Sequence, residues 1–158
     1  MKKAEKTNVM RLLEQHKIPY EAHFYGETGA VSGVEVAAAL SEPPEQVFKT
    51  LVTVGKSGQH YVFVIPVAEE LDLRKAAAAV GEKNIEMIKS KELLPLTGYI
   101  HGGCSPIGMK KLFPTRVDKS AQELTRFFVS GGKIGCQVEL SPADLARLTP
   151  FAFAELTA

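Results

Sequence analysis

Apolar residues recur along this chain with two different periods, and the switches between them mark out the elements. Val9, Leu12 and Leu13 stand at helical spacing ahead of Pro19 and predict a first helix over 7–17. A short extended run over 19–25 follows. Ser32 with Glu35 three residues on reads as a capping box opening a helix over 33–40, which Pro43-Pro44 closes. The pattern then turns to strand. Residues 47–54 and the apolar run 61–65 are joined by Gly55-Lys56-Ser57-Gly58 and read as a buried hairpin. Asp72 caps an alanine-rich helix over 73–80 that stops at Gly81.

The second half is built from shorter pieces. A strand is expected over 85–88, a brief helix from Ser90 to before Pro95, a strand near 115–117, a helix near 120–124 and strands over 126–129 and 134–140. Ser141-Pro142-Ala143-Asp144 then starts a last helix, with a serine cap and proline at the first position. Helices and strands alternate irregularly around at least one hairpin. The expected fold class is therefore α+β with a mixed sheet, not a doubly wound parallel one.

Two glycine-rich loops interrupt this pattern: Gly102-Gly103-Cys104-Ser105-Pro106-Ile107-Gly108 and Ser130-Gly131-Gly132-Lys133-Ile134-Gly135. Glycine lets backbone amides approach a ligand with no Cβ in the way. Each loop alone reads equally well as a tight turn. Lys49 is the third candidate, sharing a strand face with Val47, Leu51 and Thr53. It is either a lysine snorkelling at a sheet edge or a cation held in a pocket to grip a carbonyl or phosphate oxygen. Burial would lower its pKa, because desolvation disfavours the charged form.

Composition narrows the partners. With 45% hydrophobic and 23% charged residues in 158, the chain has the bulk for a real core and reads as one domain over 1–158. Nineteen basic against 18 acidic side chains give no whole-protein field for nucleic acid, although a local patch for an RNA end stays open. Cys104 and Cys136 form no CxxC, and the start Met1-Lys2-Lys3-Ala4-Glu5 has no apolar h-region, so a cytoplasmic setting without membrane contact is expected. Gly55-Lys56-Ser57 imitates the end of a Walker motif, but Thr50 stands where its first glycine belongs. His16, His23, His60 and His101 show no metal-ligand spacing and read as surface or packing histidines. Cys136 reads as a core thiol, and Cys104 as the more exposed of the two.

Phe48-Lys49-Thr50-Leu51-Val52 and the two glycine loops, in this order, resemble the YbaK/EbsC family over nearly the whole chain. That family comprises aminoacyl-tRNA deacylases related to the editing domain of bacterial prolyl-tRNA synthetase. The resemblance implies a strongly curved, barrel-like mixed β-sheet flanked by helices. It implies an enzyme that clears a mischarged amino acid, cysteine first, from the 3′ end of tRNA(Pro), with no cofactor and no metal. The alternatives are an alanine editor using activated water, or a non-catalytic tRNA-binding protein on the same fold. Prolyl-tRNA synthetase is the implied candidate for delivering substrate. Carried over by position, Lys49 is the catalytic residue, and Tyr20, Thr50, Gly102, Gly103, Pro106, Ser130, Gly131 and Gln137 bind substrate. Gln137 departs from the family, many members of which carry Asp there.

Overall fold

The computed structural model describes residues 6–26, 30 and 32–158, so the opening segment 1–5 lies outside the described residues. Among the described residues eight strands form two sheets. The smaller has the order β1–β7–β6, from β1 (Glu21–Phe24), β6 (Phe127–Ser130) and β7 (Cys136–Leu140), all antiparallel. The larger has the order β4–β2–β3–β5–β8, from β2 (Phe48–Gly55), β3 (His60–Pro66), β4 (Ile85–Met87), β5 (Thr115–Asp118) and β8 (Ala152–Ala154). It is mixed: β4, β2 and β3 pair antiparallel, whereas β3–β5 and β5–β8 run parallel. The α+β class with a mixed sheet holds. The strongly curved, barrel-like description is not confirmed: among the described residues neither sheet closes, and a bridge from Val47 to Phe128 links the two.

Local signals account for most boundaries. Helix α1 (Asn8–Gln15) is capped by Thr7, whose hydroxyl accepts from the Met10 N–H. Helix α2 (Gly33–Ala39) has the full Ser32/Glu35 capping box. Helix α3 (Leu73–Val80) starts at Asp72, which accepts from two backbone N–H groups, and ends at Gly81 with φ +73°. Helix α5 (Pro142–Leu148) starts at Ser141, which accepts from Asp144 N–H. Helix α4 (Ser90–Thr97) is a correction, because it runs through Pro95 instead of stopping before it. Proline there costs the bond to the Lys91 carbonyl, and Lys91 is exposed so that water can replace it. The helix expected near 120–124 is a 3₁₀ turn, Lys119–Glu123.

The core lies mainly between the two sheets. Val9 and Leu13 of α1, Phe48, Val52, Val62 and Val64 of the hairpin, Phe127 and Val129 of β6, Cys136, Val138 and Leu140 of β7 and Leu145 of α5 form one buried cluster. The opposite face of the larger sheet packs Tyr61, Phe63 and Ile65 under Ala76 and Ala77 of α3. Among the described residues no helix is long and apolar enough to cross a membrane. A cavity opens near the start of β2, where the preceding Val47 bridges to Phe128 of the smaller sheet.

Candidate functional site

Strand β2 begins at Phe48, and its second residue, Lys49, pairs with Ile65 one rung from the end of the ladder at Pro66. The ammonium therefore emerges where the hairpin frays into a cavity of ≈ 200 Å³. Lys49, Thr50, Gly102, Ser130 and Gln137 all line that cavity. Those five sequence-selected residues come from three distant segments and converge because β6 and β7 carry Ser130 and Gln137 as a cross-strand pair. Val36 and Gly33 of α2 form another wall, with Val67 behind Gly33 so close that a Cβ would sit 2.6 Å from the valine Cβ.

The electrostatics fit a polar guest. Lys49 is half-buried and makes no hydrogen bond or ion pair among the described residues. Burial pushes its pKa below that of an ordinary lysine, and Glu70 and Glu69 offset part of that fall. The Thr50 Oγ1 and Gln137 Oε1 atoms are buried with no hydrogen-bond partner. Leaving such a group unpaired costs about 1–3 kcal/mol. Two of them beside a free cation, in a cavity smaller than the roughly 300–1,000 Å³ usual for drug-sized ligands, describe a site for a small polar group.

The first glycine loop supplies the remaining polar wall. The Gly103 N–H donates to the Ile100 carbonyl at 3.0 Å, and Gly102 has φ +89°, which makes residues 100–103 a type II turn. The Gly102 N–H has no partner among the described residues. Past this turn the loop is tied down: the Tyr99 hydroxyl donates to the Ile107 carbonyl, and Thr149 Oγ1 donates to the Pro106 carbonyl at 2.8 Å.

Four of the sequence-selected positions lie elsewhere. Pro106 borders a separate cavity with Leu12, His16, Phe113 and Arg147. Gly103 is packed against the backbone of the second loop, 3.0 Å from Lys133 Cα to the point a Cβ would take. Gly131 is packed under Cys136 Sγ. Tyr20 packs against the main core, as does Ala22, and its hydroxyl donates to Glu14 Oε2 at 2.6 Å. In the alternation of β1 it shares a face with Ala22 and Phe24, opposite to the one His23 and Tyr25 share with Gln137.

Cys104 is the more exposed of the two thiols, as expected, although both are buried, at 8% against 0% for Cys136. Burial pushes the Cys104 thiol up to about 12 and the Cys136 thiol up to about 11, so neither is a nucleophile at neutral pH. His101, expected as a surface or packing histidine, is exposed and also lines the cavity. Its position directly before Gly102 was the one available signal. A second cluster, Glu21, His23 and Glu139, gathers possible metal-ligand atoms within 4.8 Å, but none of the three lines the cavity. There Glu139 is already bonded to His23 at 2.9 Å and Arg126 at 3.1 Å.

The aminoacyl-tRNA editing domain family matches residues 28–148. A protein of Enterococcus faecalis named "Putative Cys-tRNA(Pro)/Cys-tRNA(Cys) deacylase EbsC" is 49% identical over 157 residues, 99% of this chain and 96% of the relative. A proline–tRNA ligase of Kosmotoga olearia is 33% identical over 110 residues, 69% of this chain but 19% of the ligase. The solved structure titled as "a putative trans-editing enzyme for prolyl tRNA synthetase" is 26% identical with a TM-score of 0.82, covering 95% of this chain and 94% of its own. Another, of a hypothetical protein, is 22% identical with a TM-score of 0.86, covering 95% and 99%, and shares the fold.

Proposed function

The chain belongs to the aminoacyl-tRNA editing domain family, in its YbaK/EbsC branch, and from that premise we propose that it clears cysteine from mischarged tRNA(Pro) in trans. It is an aminoacyl-tRNA deacylase acting as one domain over residues 1–158. The observation that carries the reading is the cavity where an unpaired Lys49 meets two buried oxygens without partners, Thr50 Oγ1 and Gln137 Oε1. A ligand carrying both donors and an electron-rich oxygen satisfies all three, and an aminoacyl ester carries an ammonium and a carbonyl.

Such a site has a physical purpose. A synthetase pocket shaped for proline rejects a similar small amino acid poorly, since one methylene is worth about 1–3 kcal/mol, and a second hydrolytic sieve supplies the missing discrimination. In the proposed reaction the substrate's own sulfur gives up its proton and bonds to the ester carbon, the bond to the tRNA 3′ oxygen breaks, and that oxygen takes up a proton, leaving a cyclic thioester and intact tRNA. Lys49 and the Gly102 N–H face the oxygen that becomes negative. One such preorganised donor is worth about 10²–10³ in rate. Holding the aminoacyl group in the cyclising conformer adds proximity.

Substrate delivery follows from charge. With a formal net charge of +1, the protein offers little long-range attraction to a polyanion, so its affinity for free tRNA is modest and falls steeply with salt. Prolyl-tRNA synthetase, already holding the tRNA, is the partner that overcomes this. The decisive experiment is a deacylation panel of Cys-, Ala-, Ser- and Pro-tRNA(Pro) at fixed salt. The expected order puts Cys-tRNA first, well ahead of Ser-tRNA, and leaves Pro-tRNA intact. Binding of every species with no acceleration of ester loss would make the protein a tRNA-end binder and sink the enzyme reading.

A further inference from the structure

We propose that His101 is the proton carrier of this site and gives it a second route, hydrolysis by water of esters that have no thiol. The inference rests on the deacylase reading above and adds an acid–base residue to it. Water attack on an ester needs a base to take the proton and an acid to protonate the leaving oxygen. An imidazole does both near neutral pH.

The cavity offers few other groups for the task. The titratable side chains lining it are Tyr25, Lys49, His101 and Cys104. Burial pushes the Cys104 thiol up to about 12, which keeps its proton in place. Lys49 acts as a cation and is spent on the carbonyl oxygen. Tyr25 is buried and already engaged. Around them stand Lys133, on the loop packed behind Gly103, Glu35 at the first turn of α2, and Glu69 and Glu70, whose charges reach Lys49. His101 alone combines exposure to solvent, a place on the cavity wall and a ring with no hydrogen bond among the described residues.

Turn geometry sets it beside the other half of the machinery. His101 is the second residue of the type II turn closed by Gly103 N–H to Ile100 O at 3.0 Å, and Gly102, with φ +89°, is the third. The free Gly102 N–H and the imidazole thus come from adjacent residues of one fixed turn. In the step proposed, a water oxygen bonds to the ester carbon while His101 takes its proton. The carbon–oxygen bond to the tRNA then breaks, and the imidazolium returns the proton to the departing 3′ oxygen. The products are the free amino acid and intact tRNA, with one water consumed.

The test is the pH–rate profile of the full-length protein on Ala-tRNA(Pro), with the Cys-tRNA(Pro) reaction run alongside. His101→Gln should lower kcat on Ala-tRNA about 10²-fold, leave KM nearly unchanged and erase the acid limb of the profile. The loss on Cys-tRNA should be smaller, because that substrate brings its own ionisable nucleophile. Added imidazole should restore turnover to His101→Ala. A profile and kcat for His101→Gln equal to the wild type would overturn the proposal while leaving the deacylase reading intact. So would a rise in KM alone, or a wild type that clears Cys-tRNA but never Ala-tRNA. A wild type that clears neither ends both readings.

Discussion

The loops at residues 100–108 and 130–135 are both glycine-rich and touch each other, yet of their glycines Gly102 of the first alone lines the cavity. Its Gly102 lines the wall with a free N–H, flanked by His101 and Cys104. The second loop reaches the cavity through Ser130, whose hydroxyl is taken by the Gly132 N–H at 3.1 Å. Its glycines face inward on the protein: Gly131 against Cys136 Sγ, Gly132 against Val9 and Tyr99, and Gly135 against Gly26. On the proposed reading the first loop meets the substrate and the second is the clasp holding that loop in place. The same residue type serves both for different reasons: Gly102 permits the φ of +89° that the turn needs, whereas a missing Cβ at Gly131, Gly132 and Gly135 leaves room for neighbouring parts of the protein.

The largest expected effect tests whether the cavity side of this comparison carries the chemistry at all. Lys49→Ala should cost about 10²–10³-fold in single-turnover deacylation, the value of one preorganised charge stabiliser. Its circular dichroism should match the wild type, since Lys49 has no partner in the fold to lose. Lys49→Arg should fail as well, because a planar fork does not replace a compact ammonium in a small cavity. Near wild-type turnover from either variant would reduce the first loop to a turn like the second.

Next comes the clasp itself. A Cβ on Gly131 would lie 2.4 Å from Cys136 Sγ, and that sulfur is fully buried with nowhere to retreat. Gly131→Ala should therefore cost about 1–3 kcal/mol of stability in denaturant unfolding. Cys136→Ala in the same chain should recover part of the loss, a coupling that a double-mutant cycle measures. Gly102→Ala should behave oppositely. A methyl there meets the Ile134 side chain, Cγ1 at 3.3 Å and Cδ1 at 3.6 Å, so the stability loss is mainly the φ +89° strain of about 1–2 kcal/mol. Its kcat should fall more than its tRNA affinity. If Gly131→Ala instead spared stability and Gly102→Ala spared kcat, the two roles would have been assigned the wrong way round.

Much of this was legible in the chain, for identifiable reasons. Caps at Ser32, Asp72 and Ser141 and the stop at Gly81 depend on neighbours within four residues, and all four stand where the sequence put them. Lys49, Thr50, Gly102, Ser130 and Gln137 converge on one cavity as a polar, glycine-rich site would. What was not legible is long-range. Strand β8 is held parallel to β5, and β1 is held by β7 more than a hundred residues away, pairings that no local pattern encodes. The split into two sheets followed from those pairings. Tyr20 was placed in the pocket although its strand alternation, once β1 is paired with β7, turns it to the α1 side. Pro106 marks the loop in sequence, but it serves as the loop's anchor through Thr149. Beyond standing next to Gly102, His101 carries no local signal of its own, because its place on the cavity wall depends on the turn at 100–103 and on the distant strands that complete the cavity.

The smallest expected effect separates the cost of the site from its use. Burial lowers the Lys49 pKa below the ordinary lysine value it regains on unfolding. Between those two values the unfolded chain binds more protons than the folded one, so this group makes stability rise with pH across that window. Below the folded value the full penalty of a half-buried charge is present, and above the unfolded value it is gone. Lys49→Met, which fills similar space without the charge, should therefore melt slightly higher than the wild type at neutral pH. The gap should close as pH climbs toward the ordinary lysine range. Deacylation by the wild type should fall over the same alkaline window, because in the proposed mechanism the ammonium that destabilises the fold is also the group that grips the oxygen. A Met variant less stable than the wild type at pH 7 would mean that Lys49 supports the sheet end after all. The free cation would then be a structural lysine, and the cavity would have to find its positive charge elsewhere.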